Sequence, residues 1–261
     1  MKDLAICVNN SSSHPNTLET IDAINNAGFK KVFVQWYDEP FPVSQQEQVN
    51  YCKKLGLQII FAHLGYQHIN SIWEEGEEGD HLVKRYCRNI DECAANEIPL
   101  VMMHLSSKFT APGPNEIGLE RVRKIVEYGK EKGVKVSFEN TKIRGYQDYI
   151  AERLPDAGFC YDAGHVHAHF NDEFDFELFS NRIDCIHLHD NMGKKDEHLL
   201  PFDGTIDWEY VLKKLKETGY DRELTLETLY HHPYEERMTI DEFYRECYRR
   251  GEKLAELWEK L

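Results

Sequence analysis

The chain is expected to fold as a single (β/α)8, TIM-type barrel spanning residues 1–261. Three observations predict it. Short apolar runs alternate with longer amphipathic ones eight times from end to end. No linker, low-complexity stretch or compositional break divides the chain. A length of 261 residues suits such a barrel as one unit. An open, doubly wound sheet is the alternative arrangement of the same alternation.

The first strand is predicted at 4–8 and its helix at 17–27, closed by Gly28. The second pair falls at 31–35 and 44–55, stopped by Gly56, and the third at 58–62 and 80–95. Between the third strand and helix lies an acidic run, Trp73 to Glu78, read as solvated. The fourth pair is 100–103 and 115–132, closed by Gly133. A glycine just past a periodic segment supplies the left-handed residue that ends a helix. The second half repeats the rhythm with shorter helices: 135–138 and 146–153, 158–161 and a short helix at 173–180, then 184–188. Asp207 caps a helix at 207–218 that Gly219 ends, and the last pair is 224–226 and 239–258.

With 41% hydrophobic residues the chain can bury a sizeable core. Its formal net charge is −15, which repels phosphate backbones at long range and argues against nucleic acid as a partner. The seven cysteines are odd in number, scattered and without a CxxC pair, as expected of reduced thiols in a cytoplasmic protein. The opening MKDLAICVNN reads as a first strand, not a leader, and no apolar run approaches membrane-spanning length, so no membrane association is expected.

Barrel chemistry sits at the C-terminal strand ends. His63 follows strand three, His104 closes strand four and Glu139 closes strand five. Asp162 closes strand six with His165 three residues on, His187 closes strand seven, and Glu227 closes strand eight. Asp196 and His198 lie in the loop beyond strand seven, within CIHLHDNMGKKDEHLLPFDGTIDW. One such residue alone is ordinarily a hydrogen-bonded rim residue, and His189 is the weakest of them. One on every strand from three to eight points to a divalent-metal site. Trp36, just past strand two, offers either an aromatic face for a sugar or plain rim packing. Lys108, Lys142, Arg144, Lys194 and Lys195 lie in rim loops where a phosphate would bind, although solvation accounts for each.

The segments FEN, YDAGH, IHLHD, DEHLLPFDGTIDW and LTLET resemble the xylose-isomerase-like barrels, a family of sugar isomerases, ketose 3-epimerases and endonuclease IV. The resemblance covers essentially the whole chain. It implies that Glu139, Asp162, His187 and Glu227 hold one divalent ion, Mn²⁺, Zn²⁺, Mg²⁺ or Co²⁺. His63, His104, His165, Asp196 and His198 match further ligands of the endonuclease IV zinc cluster, and are expected here to contact substrate or hold extra metal. The PFDG segment departs from the PGxG or LGEG form usual in the family.

Two carboxylates at one metal suit proton transfer beside a carbonyl. The expected activity is isomerisation or 3-epimerisation of a ketose or ketose phosphate through a metal-bound enediolate. Glu139 and Glu227 are the catalytic pair in that reading. The alternatives are an endonuclease IV-like hydrolase of abasic-site phosphodiesters and a sugar or inosose-type dehydratase. The partner is a small sugar or sugar phosphate, and a homo-oligomer is compatible with the reading.

Overall fold

The computed structural model describes residues 2–9, 17–37, 42–107 and 110–261. Among these, eight strands alternate with eight helices: β1 (Leu4–Val8), α1 (Thr17–Ala27), β2 (Lys31–Trp36), α2 (Gln45–Leu55), β3 (Gln58–Leu64), α3 (Glu77–Ala95), β4 (Leu100–His104), α4 (Glu116–Lys132), β5 (Lys135–Glu139), α5 (Tyr146–Ala151), β6 (Gly158–Asp162), α6 (Ala163–Phe170), β7 (Ile183–His187), α7 (Trp208–Glu217), β8 (Leu224–Leu226) and α8 (Ile240–Lys260). All strand pairs are parallel, in the order β7-β6-β5-β4-β3-β2-β1-β8. The ring closes between β7 and β8 through Leu188, whose amide donates to Thr225 O (2.9 Å) and whose carbonyl accepts from Glu227 N (3.1 Å). This is the barrel the alternation predicts.

Strand residues alternate between two buried environments, the usual consequence of a period of two. One set, including Cys7, Phe33, Phe61, Met102, Cys160 and Cys185, fills the barrel interior. The other packs against the helices as the larger apolar layer. Helix ends follow their local chemistry. Ser44 and Thr239 each form a reciprocal box with the glutamate three residues on, and Gly56 and Gly133 end α2 and α4 with φ near +74° and +72°.

Two expectations fail. No helix forms at 173–180; the helix after β6 is α6, and it begins directly at the strand end because Asp162 caps it, accepting from His165 N at 2.6 Å. Residues 173–180 turn instead around an aromatic knot in which Phe174 meets Tyr161, Phe176 and Phe179, each at 4.9 Å. The run from Trp73 to Glu78 is not wholly solvated either. A 3-10 turn, Ile69–Trp73, buries Trp73, whose indole donates to Leu105 O (2.6 Å) and lies where a side chain on Gly118 would sit.

Candidate metal centre

The strand alternation aims the ligand-type residues inward. His63, His104, Asp162 and His187 each stand two residues beyond an interior core residue, Phe61, Met102, Cys160 and Cys185 respectively. They continue the same inward row: His63 and His104 line a cavity of about 950 Å³ at the C-terminal mouth of the barrel, and Asp162 and His187 are fully buried outside its lining. The His187 ring stacks on Phe33 at 4.9 Å and is tilted against Phe61 at 5.7 Å.

Three carboxylates converge on that imidazole. His187 Nδ1 lies 2.5 Å from Glu139 Oε1, 3.2 Å from Glu227 Oε2 and 3.6 Å from Asp162 Oδ2. Ligand atoms from all four residues lie within 4.8 Å of one another, and all four are buried. Burial opposes charge on His187, but the surrounding carboxylates outweigh it and raise its pKa well above the usual imidazole value. The pocket thus favours positive charge, which a divalent ion supplies more strongly than a proton. Mixed oxygen and nitrogen donors of this kind suit Mn²⁺, Zn²⁺, Mg²⁺ or Co²⁺.

The two glutamates differ. Burial pushes both upward; at Glu139 the His187 and His104 imidazoles overcome it and hold the carboxyl well below its usual range. At Glu227 burial prevails over His187 and His198, and the pKa is raised. Opposed shifts in one site are what distinct acid and base roles require.

Two further donor sets flank the first. His63, His104 and Glu139 form one, with His104 Nε2 at 2.7 Å from Glu139 Oε2. Burial and the neighbouring His104 pull His63 down to about 3, and its Nδ1 lies 3.0 Å from Leu64 O. The neutral ring thus keeps Nε2 for a ligand. His189, Asp196 and His198 form the other set. Asp196 Oδ1 lies 3.2 Å from His198 Nε2, and Asp196 Oδ2 accepts from His165 Nε2 (3.1 Å), while His165 Nδ1 donates to Asn140 O at 2.8 Å. Burial works against protonating His198, but Asp196 carries its pKa to about 9.

His189, the least regarded histidine in the sequence, is fully buried and central. Its Nε2 is 3.2 Å from Asp162 and its ring stacks on His198 at 3.9 Å, linking two donor sets. Gly164 makes the room: a Cβ there would come within 1.9 Å of the His189 ring. Gly164→Ala is therefore expected to cost about 1–3 kcal/mol by overpacking, read from denaturant midpoints. A Gly164→Ala midpoint equal to wild type would show that His189 can move freely.

Asp190 takes no part in the donor sets. It accepts from Asn191 N (2.9 Å), Phe202 N (2.9 Å), Ile206 N (3.2 Å) and Trp208 Nε1 (3.0 Å), and so folds the loop that carries Asp196 and His198. Within that loop His198 and Phe202 hold positive φ, +47° and +73°, a costly conformation for side-chain-bearing residues that this network sustains. The PFDG segment belongs to the same network: Asp203 accepts from Tyr234 Oη (2.9 Å) and pairs with Arg250 (2.9 Å).

Trp36 is not brought to the cavity. Strand parity turns it outward, where it is 5% exposed and its indole donates to Glu92 Oε2 of α3 at 2.8 Å. Its neighbours Gln35 and Tyr37 line the cavity instead, and Tyr66 stacks on His104 at 4.3 Å. Of the rim cations, Lys142 lines the cavity, whereas Arg144 pairs with Glu173 at 2.7 Å. Lys194 and Lys195 do not line it, and Lys108 lies outside the described residues.

A sequence profile of the xylose isomerase-like TIM barrel family matches residues 21–247. The chain belongs to that family. Among curated relatives of this family member, the uncharacterized protein y4fM of Sinorhizobium fredii is 35% identical over 109 residues. The matched stretch covers 41% of this chain and 35% of that relative's length. A D-tagatose 3-epimerase-like protein superimposes over 100% of this chain and 98% of its own, with a TM-score of 0.72 at 21% identity. D-psicose 3-epimerase from Clostridium cellulolyticum H10 covers 100% and 99%, with a TM-score of 0.73 at 13% identity. At these identities the likeness is one of fold. Among the described residues, no helix of this xylose isomerase-like barrel is long and apolar enough to cross a membrane.

Proposed function

We propose that the chain is a divalent-metal-dependent isomerase or 3-epimerase acting on a small keto sugar or its phosphate. One observation carries this reading: Glu139 and Glu227, from β5 and from the end of β8, enter one buried donor set with Asp162 and His187. The epimerases whose folds it shares make a sugar substrate the economical choice. Glu139, Asp162, His187 and Glu227 would hold the ion, which when bound stabilises negative charge developing on a substrate oxygen.

Glu227, with its raised proton affinity, is the residue suited to take a carbon-bound proton. Glu139 is the partner carboxylate for the second proton transfer, and His104 Nε2 lies 2.7 Å from its Oε2. Asn140 fixes the neighbouring ligand, donating to Asp162 O (2.9 Å) and accepting from Asp162 N (2.8 Å). Deuterium uptake from D₂O into a panel of ketoses and ketose phosphates tests the reading. Exchange at carbon 3 identifies an epimerase, and exchange at the ketose–aldose carbon an isomerase. No exchange in any sugar by metal-loaded protein would overturn it.

A second reading has its own observation. The flanking sets, His63/His104/Glu139 and His189/Asp196/His198, provide donors for more than one ion, as a multi-metal phosphoester hydrolase needs. The net charge of −15 weighs against a DNA substrate. Elemental analysis separates the two: about one tightly held ion per chain is expected, whereas three, with nicking of abasic duplex, would establish the hydrolase.

A further inference from the structure

Beneath the carboxylates, the barrel floor carries two thiols. Cys160 on β6 and Cys185 on β7 are register partners in the barrel interior, 0% and 3% exposed. Cys160 Sγ lies within 4.8 Å of ligand atoms of both Glu139 and His187, and all three residues are buried. His187 Nε2, fully buried, has no hydrogen-bond partner among the described residues. Neither thiol is disulfide-bonded, and the proton-transfer reading gives neither a task.

We propose that Glu139, Cys160 and His187 form a second metal site, selective for thiophilic cations, on the floor of the same pocket. A sulfur donor next to an imidazole and one carboxylate favours soft or borderline ions such as Cd²⁺ and Zn²⁺ over Mg²⁺ and Mn²⁺. On binding, the Cys160 S–H bond is lost, the sulfur coordinates the ion, and the proton leaves to solvent. Glu139 and His187 also belong to the four-residue donor set, so the two sites cannot be filled together with their full ligand sets. Thiophilic ions therefore displace a hard ion from this pocket and act as inhibitors. The displacement rests on the proposed role of the four-residue set; the sulfur ligation does not.

The test uses full-length, metal-free protein carrying Cys87→Ser, which removes the one cysteine that is not buried. Titration with Cd²⁺ is expected to raise the ultraviolet thiolate-to-cadmium charge-transfer band, saturating at one ion per chain. The band should persist in an added Cys185→Ser change and vanish with Cys160→Ser. A band that survives Cys160→Ser, or none before it, overturns the proposal. Should Cys160→Ser not fold, cadmium NMR on protein with Cys160 intact decides: a resonance shifted by sulfur ligation is expected, and one typical of oxygen and nitrogen alone refutes the site. Mn²⁺ bound first and followed by electron paramagnetic resonance should be released one for one as Cd²⁺ enters. Retention of Mn²⁺ alongside the charge-transfer band would overturn the exclusion. None of these readouts requires turnover, so loss of the sugar-isomerase reading would leave the sulfur site standing, and the converse.

Discussion

Glu139→Gln is expected to reduce solvent-hydrogen exchange by about a thousandfold or more, because proton transfer and charge stabilisation fail together. Glu139 is shared by the four-residue donor set, the His63/His104 set and the Cys160/His187 set. Its two oxygens separately meet His187 (2.5 Å) and His104 (2.7 Å). The amide keeps the shape but loses the charge, and its NH₂ group has no acceptor role toward either imidazole. Metal affinity should fall as well, measured by titration against a competing chelator. The far-ultraviolet circular dichroism of the folded barrel should be retained, since residues at the active rim contribute little to the apolar layers. A Glu139→Gln protein with wild-type exchange and metal content would remove this residue from the machinery. Glu227→Gln is the comparison: it should lose exchange by about 10²–10⁴-fold while keeping the His63/His104/Glu139 donors intact.

Asp190→Ala should be the most damaging single change to stability near the site, costing about 4 kcal/mol in denaturant unfolding. It strands four donors at once, from Asn191, Phe202, Ile206 and the Trp208 indole, around a residue with no exposed surface. Gly204 shows how tightly the loop is wound, since a Cβ on it would lie 2.2 Å from Asp190 Oδ1. Asp190→Asn should recover part of the loss, because its single amide oxygen can still accept from some of these groups. With the loop released, Asp196 and His198 lose their placement and any ion held by them is lost first. A cost below about 1 kcal/mol would mean the loop is held by other contacts.

The row of candidate ligand residues at strand ends was legible because both barrel chemistry and strand parity are local in sequence. Each of His63, His104, Glu139, Asp162 and His187 ends or nearly ends a run of apolar residues, and strands alone aim such residues at a common rim. Trp36 stayed open between sugar contact and packing because a residue at a strand end can face either layer, and one position decides which. Tyr37, its neighbour, faces the cavity. His189 continues the period-two row of Cys185 and His187 one step past β7, but the absence of a side chain at Gly164, which makes room for its ring, has no local signal. The helix expected at 173–180 failed for a related reason. Asp162 caps α6 immediately, and the apolar positions at Phe174, Phe176 and Phe179 are consumed by one aromatic knot rather than a helical face.

By itself, then, the sequence determined the alternation of eight strands and helices, the donor types at the strand ends and the charge that disfavours nucleic acid. These follow from local periodicity and composition, which need no knowledge of distant partners. Tertiary structure alone decided the grouping of donors: that Glu139 serves three sets, that His189 joins Asp162 to His198, that Asp190 builds a loop, and that Cys160 sits below Glu139 and His187. The physical reason is closure. Distances across the barrel mouth depend on the register of every intervening strand pair, including irregular steps at Val32/Phe33 and Phe159/Cys160 that no local pattern announces.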